Sequence, residues 1–337
     1  MLAIVLALAS AIGYGGSDFA AGLASRSAGI IQVNLLASAI STVAVAVAAA
    51  LLLVGTHPPT AAALAWGAGA GLGGFVGGLA LYLGFRQAAF SVAGPLSAVG
   101  AAGFSVLAGL LFGERPTTLA LTGIVLALPA IVAVSASVGR AGRGDAADGA
   151  AEVPGAEVPG AEVPGAEVPG AEVPGGEVPG GERGVPGGER AGSGARGRSA
   201  AGVVAGLIAG GGFALLFIGL DRAGSGSGLW PVAAASVTEL VAALALAAVT
   251  GNVRLPAGRP RWLSVMTGAA GALGTILYFL ATHEGFLAVT AVLTSLYPAV
   301  TIVLARTVLG ERLTAPRLAG LALAAACVAL IAVGGAG

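Results

Sequence analysis

Ten apolar stretches run along this chain, separated by short breaks rich in polar residues, glycine or proline. They are Leu2–Leu23, Ile30–Val54, Ala61–Leu83, Val92–Phe112, Leu119–Val138, Ala201–Leu220, Leu229–Val249, Leu263–Ala281, Phe286–Leu309 and Ala315–Val333. Each approaches the roughly 20 residues that a helix needs to cross about 30 Å of hydrocarbon. The pattern predicts an all-α integral membrane protein with ten transmembrane helices, five on each side of a polar interruption.

The two sets of five are copies of one module. Gly113-Glu114-Arg115 recurs as Gly310-Glu311-Arg312, and Thr117 and Gly123 recur as Thr314 and Gly320. The same offset of 197 (310 minus 113) carries Gly71, Gly74 and Gly77 onto Gly268, Gly271 and Gly274. It also carries Phe90, Val92 and Leu96 onto Leu287, Val289 and Leu293. A register kept without a gap over that distance marks an internal duplication. The expected organisation is a first repeat over 1–138, a linker over 139–199 and a second repeat over 200–337.

Composition agrees with a membrane protein. The chain is 56% hydrophobic and 9% charged, with mean hydropathy +0.94, where a soluble domain carries about 25% charged residues. Net charge is zero, and no basic patch with interleaved aromatics appears, so no nucleic-acid partner is expected. The single Cys327 cannot form an internal disulfide and has no metal-ligand spacing. Met1 runs directly into apolar residues without a basic leader region, so the first stretch is expected to stay as a helix. All sixteen basic residues are Arg, which reads as genome composition bias.

The interruption has its own character. From Ala151 the pentapeptide Ala-Glu-Val-Pro-Gly occurs five times through Gly175, then decays toward Gly-Gly-Glu-Arg. Regular proline removes backbone donors, and Pro-Gly favours turns. One Glu per unit adds self-repulsion. Such a segment buries too little apolar area to offset its ordering entropy, so it is expected to be a disordered tether. A docking tail is the alternative reading.

Five crossings per module is an odd number, so the second module starts from the opposite face. Two inverted repeats are thus expected, an architecture recurrent in secondary transporters with the substrate site near the midplane. The face with the linker and the loops after segments 1, 3, 7 and 9 holds fourteen Arg; the other holds only Arg115 and Arg222. The positive-inside rule places the linker in the cytoplasm and both termini outside.

Two segments carry a family likeness. LYLGFRQAAFSVAGPLSAVGAAGFSVLAGLLFGERPT and LYFLATHEGFLAVTAVLTSLYPAVTIVLARTVLGERLT resemble the third-to-fifth-helix signature of EamA domains. GYGGSDFAAGLASR near the start resembles a variant opening of the same domain. EamA domains are the repeat unit of ten-helix members of the drug/metabolite transporter superfamily. The resemblance covers nearly everything but the linker and is silent on substrate. In the family, the fourth helix of a module usually carries proline before the Gly-Glu-Arg turn. Pro298 fits; the first module has Pro95, whereas the register would put it at position 101 (298 minus 197). The family is usually drawn with both termini cytoplasmic, against the Arg count.

Few residues could carry chemistry. Glu239 lies in the middle of the seventh stretch, where a carboxylate costs about 2.5–3.5 kcal/mol on insertion scales and usually faces a cavity or a partner. It is read either as a proton or cation site or as a packed polar residue. Asp18, near the end of the first stretch, can face a cavity, pair with Arg26 or sit at the interface. Tyr14, Tyr82, Tyr278 and Tyr297 are the only tyrosines and read as packing, interfacial or ligand-contacting residues. Pro298, next to Tyr297, frees a backbone carbonyl inside a membrane helix. Such a break can line a cavity. Arg86, Gln87, His283, Glu284 and Arg306 read as solvated or snorkelling ends. Trp66, Trp230 and Trp262 lie near segment ends, as interfacial residues do. The runs Gly69-xxx-Gly73-xxx-Gly77 and Gly202-xxx-Gly206-xxx-Gly210 put small residues on one face for close helix packing.

No phosphate loop, metal spacing or nucleophile elbow appears, and no cofactor is expected. The expected protein is a multi-pass permease of a small organic metabolite or drug in the cell membrane. Its partners are the small-molecule substrate and the lipid bilayer, with a proton as candidate coupling ion. A non-transporting receptor or scaffold of the same fold is the first alternative, and an integral-membrane enzyme the second. Oligomeric state is not legible.

Overall fold

The computed structural model describes residues 1–52, 58–87, 90–136, 189–310 and 315–334. The Ala-Glu-Val-Pro-Gly array lies outside the described residues. Within the described ones the chain is helical throughout, with a single 3-10 turn at Ser225–Ser227 and no strand. The helices are α1 Leu2–Ala24, α2 Ile30–Leu52, α3 Ala61–Gln87, α4 Phe90–Leu111, α5 Thr118–Ala136, α6 Glu189–Arg222, α7 Trp230–Val249, α8 Arg259–Thr282, α9 Leu287–Thr294, α10 Tyr297–Leu309 and α11 Ala315–Gly334. Seven stretches among the described residues are long and apolar enough to cross a membrane: α1, α2, α3, α6, α7, α8 and the pair α9–α10. The described apolar parts of α4, α5 and α11 are shorter.

Two elements differ from the sequence pattern. The ninth stretch is two helices, because Pro298 stands in the first turn of α10 and cannot donate to the carbonyl four residues back. The sixth helix begins at Glu189, so residues 189–199 of the expected linker are helical. Pro186 is the last proline of that region. Beyond it no proline interrupts the backbone hydrogen bonding before the membrane span, so the helix can extend outward.

The halves interlock rather than stand side by side. α1 packs along α8, and α3 along α6. α3 also packs on α7, and α8 on α2. α4 lies on α6, while α9 and α10 lie on α1. α2 faces α7, α4 faces α9, and α5 faces α11. Exchanging the first module's helices for the second's turns each of these contacts into another member of the set or back into itself.

Small residues make the interlock possible, since lipid offers helices no hydrophobic drive and association depends on close packing. A Cβ on Gly71 would collide with the carbonyl of Ala235 on α7, and one on Gly268 with the carbonyl of Ala37 on α2. A Cβ on Gly13 would lie 2.8 Å from Cα of Gly274. Of the first glycine run, Gly73 and Gly77 pack on α6, whereas Gly69 faces open space. Gly210 of the second run packs on Gly100 of α4.

The Gly-Glu-Arg turn ends α4 in a Schellman motif. The Gly113 amide bonds Leu110 at 3.1 Å, and the Glu114 amide bonds Gly109 at 2.9 Å. Gly113 takes φ 95°, and Gly310, its counterpart after α10, takes φ 69°. That left-handed position favours glycine for want of a Cβ.

Candidate functional site

Both interior carboxylates sit on core-facing stripes. Asp18 follows Ala7 and Ala11 by eleven and seven residues, three and two helical turns, and both alanines are fully buried. Val5 and Ile12, on the opposite side of α1, are more than 60% exposed. Glu239 stands seven residues after buried Val232 and four from buried Ala235 and Ala243. Val237 and Val241 point outward. Each carboxylate is surrounded by protein, and each residue keeps part of its surface accessible.

Glu239 has a built environment. Ser38 of α2 lies 3.3 Å from its Oε1 and 3.2 Å from Oδ1 of Asn34. The one Ser38 hydroxyl hydrogen can serve one of these acceptors at a time. A turn further on, Thr42 Oγ1 reaches the carbonyls of Ser38 at 2.8 Å and Ser236 at 3.0 Å. Asn34, Ser38 and Thr42 recur every four residues and form a polar seam between α2 and α7.

Tyr14 ties this seam to the other half of the site. Its hydroxyl lies 3.0 Å from Thr275 Oγ1 on α8, and it interacts electrostatically with both Glu239 and Asp18. Its ring tilts against Phe217 of α6 with centroids 6.3 Å apart. Phe217 in turn stacks on Tyr278 at 4.3 Å. Tyr14 and Tyr278 are thus joined through a ring that sequence reasoning did not single out. The Tyr278 hydroxyl is buried and makes no well-formed hydrogen bond; Thr290 stands beside it.

Tyr297 marks the broken helix. It is buried, has Ser97 of α4 as its hydrogen-bond neighbour and feels the charge of Asp18. Gly15 on α1 leaves room for the Tyr297 carbonyl and Val300, and Thr301 bonds back to the Gly15 carbonyl at 3.2 Å. Ser295, in the break itself, is fully buried, and its hydroxyl finds no partner among the described residues. Tyr82 stands on α3, and its side chain lies outside the described ones.

The structure therefore ties Tyr14 to Tyr278 through Phe217, and Tyr297 to the α1 turn before Asp18 through Gly15 and Thr301, with Asp18 and Glu239 both within electrostatic range of Tyr14. Every Arg whose side chain is described is exposed, and none of them pairs with Asp18 or Glu239.

A fold of this kind, helical and crossing the membrane many times with a polar centre, is that of a multi-pass membrane protein. Residues 200–333 match the model of the EamA-like transporter family, which supports the expected kinship with the EamA-domain proteins of the drug/metabolite transporter superfamily. A solved protein crystal structure is 17% identical and covers 96% of this chain and 96% of its own length, with a TM-score of 0.61. At that identity the likeness concerns the fold alone. No curated protein matches the chain.

Proposed function

We propose that this protein is a carrier of a small organic solute in the cell membrane. Ten crossings in two inverted halves would rock about the site formed by Tyr14, Asp18, Glu239, Tyr297 and the break at Pro298. The observation that carries this reading is the pair of carboxylates on core-facing stripes, without ion-pair partners among the described residues, with Asp18 on the helix that packs against the broken one. Intramembrane acids are costly and mark substrate or ion pathways. Discontinuous helices at the midplane are where secondary transporters bind their substrates. The exchange relation among helix contacts supports inverted halves. The family description supports transport over the enzymatic alternative. Glu239 is the coupling carboxylate, exchanging a proton with the substrate-bound state.

The reading is tested by accessibility at mid-depth. Thr275, which contacts the Tyr14 hydroxyl and is partly exposed, is replaced by Cys in a Cys327→Ser background. A membrane-impermeant maleimide is then applied from each face in turn. A carrier exposes that cysteine to both faces. Labelling from one face only, under every condition including substrate-rich cell extract, would favour a receptor or scaffold.

A further inference from the structure

The Gly-Glu-Arg turn does more than end a helix. Both carboxylate oxygens of Glu114 accept amides at the first turn of α9: Leu287 N–H at 2.5 Å and Ala288 N–H at 2.9 Å. The residues belong to opposite halves of the chain, 173 and 174 positions apart. All eight residues of α9 are buried, so its free amides have no water to turn to. An anionic side chain there also complements the positive end of the helix.

The surroundings are shaped for this bond. A Cβ on Gly109 would collide with the Glu114 carboxylate and lie 3.3 Å from the Ala288 amide. Glycine at that position leaves the space that the carboxylate fills. Asp221, at the end of α6, interacts with Glu114 as a like charge. Beside it Arg222 lies over the Phe112 ring, 4.7 Å from the centroid. Tyr278, buried and without a well-formed hydrogen bond, feels both Glu114 and Asp221. The bond is therefore strong in geometry and opposed by a neighbouring charge. Nearby, Gly285 packs on Ala3 of α1, a second contact between the halves at this end.

The geometry points to Glu114 as the latch of the gate on the arginine-poor face. It holds the half-helix α9 against the first module while that face is closed, and releases the Leu287 and Ala288 amides when the face opens. Glu114 is then a positioning residue, acting through α9 on the Ser295–Pro298 break. This role rests on the carrier reading, because a protein that never opens needs no latch.

The experiment uses the full chain in membrane vesicles with one reporter cysteine, Thr290→Cys, in the Cys327→Ser background. Thr290 is buried in the first turns of α9. Two variants break the latch differently: Glu114→Gln removes the charge, and Gly109→Ala expels the carboxylate. An impermeant maleimide should label Thr290→Cys about tenfold faster in both, or about 1.4 kcal/mol toward the open state, and only from the arginine-poor face. Glu114→Asp, with its charge kept on a shorter arm, should fall between. Unchanged labelling in both variants overturns the latch. Faster labelling from both faces also overturns it, because general loosening is what a purely structural residue would give. If Glu114→Gln does not fold, Gly109→Ala decides alone, and if neither folds, the sided labelling of Glu114→Asp decides. Failure of the carrier reading shows separately, as one-sided labelling of Thr275→Cys with Glu114 intact.

Discussion

Gly77 and Gly274, 197 positions apart, occupy the same place in the two halves. A Cβ on Gly77 would press on the Phe213 ring at 3.0 Å, and one on Gly274 on the Tyr14 ring at 3.2 Å. In both cases the helix approached is the first of the opposite module. Replacing Gly274 by Ala should destabilise the protein by about 1–3 kcal/mol, the usual cost of overpacking. Gly69→Ala, where a Cβ meets nothing within 4 Å, should leave the midpoint of thermal unfolding in detergent unchanged. Equal midpoints for the two variants would refute the account of the interlock.

Tyr14→Phe separates ring from hydroxyl. The ring contact with Phe217 remains, while the link to Thr275 is lost. A membrane-interior hydrogen bond is worth about 0.6 kcal/mol on average, so folding should barely change. Transport should fall severalfold if the hydroxyl helps to hold the substrate or orient the carboxylates. Full activity in Tyr14→Phe would restrict Tyr14 to packing.

Much of this was legible before any coordinates. Nine of the ten apolar stretches each correspond to one described helix, and the ninth stretch to two, because helices with all their backbone bonds internal, or closed barrels, are what hydrocarbon tolerates. The break at Pro298 follows from proline chemistry. Glu239 is conspicuous because a lone carboxylate in an apolar run has few explanations. The inward placement of Asp18 could have been read from its spacing to Ala7 and Ala11, but a residue near a helix end can equally reach the interface. Asn34, Ser38 and Thr42 fall every fourth residue, but small polar residues in an apolar helix are common enough that the sequence did not single them out. Phe217 was not, since one aromatic in a buried helix carries no signal. Glu114 was visible only as part of a turn. Its partners lie in the other half, and sequence does not show which helix start a turn will reach.

Orientation follows from charge. With fourteen Arg against two, the face carrying the linker should be cytoplasmic. A reporter active only outside the cytoplasm, inserted after Gly165, should stay silent. A strong signal there would put the termini in the cytoplasm and show the charge rule failing in this protein.

Ser38→Ala removes the hydroxyl shared between Asn34 and Glu239. The loss should cost about 1 kcal/mol or less in stability and should shift the pH profile of transport, because the carboxylate loses its nearest donor. An unchanged profile would mean that the polar seam only packs α2 against α7.

The most direct test compares small-molecule pools, inside and outside cells, in a deletion strain complemented with the wild-type gene, with Glu239→Gln, or with nothing. The amide is near in shape to the carboxylate and cheaper to bury, so the variant should reach the membrane in normal amount. The account predicts at least one solute whose distribution changes on deletion and returns with the wild type but not with Glu239→Gln. Identical pools in the deleted and wild-type strains would contradict transport. Full restoration by Glu239→Gln, with an unaltered pH profile, would remove Glu239 from the site.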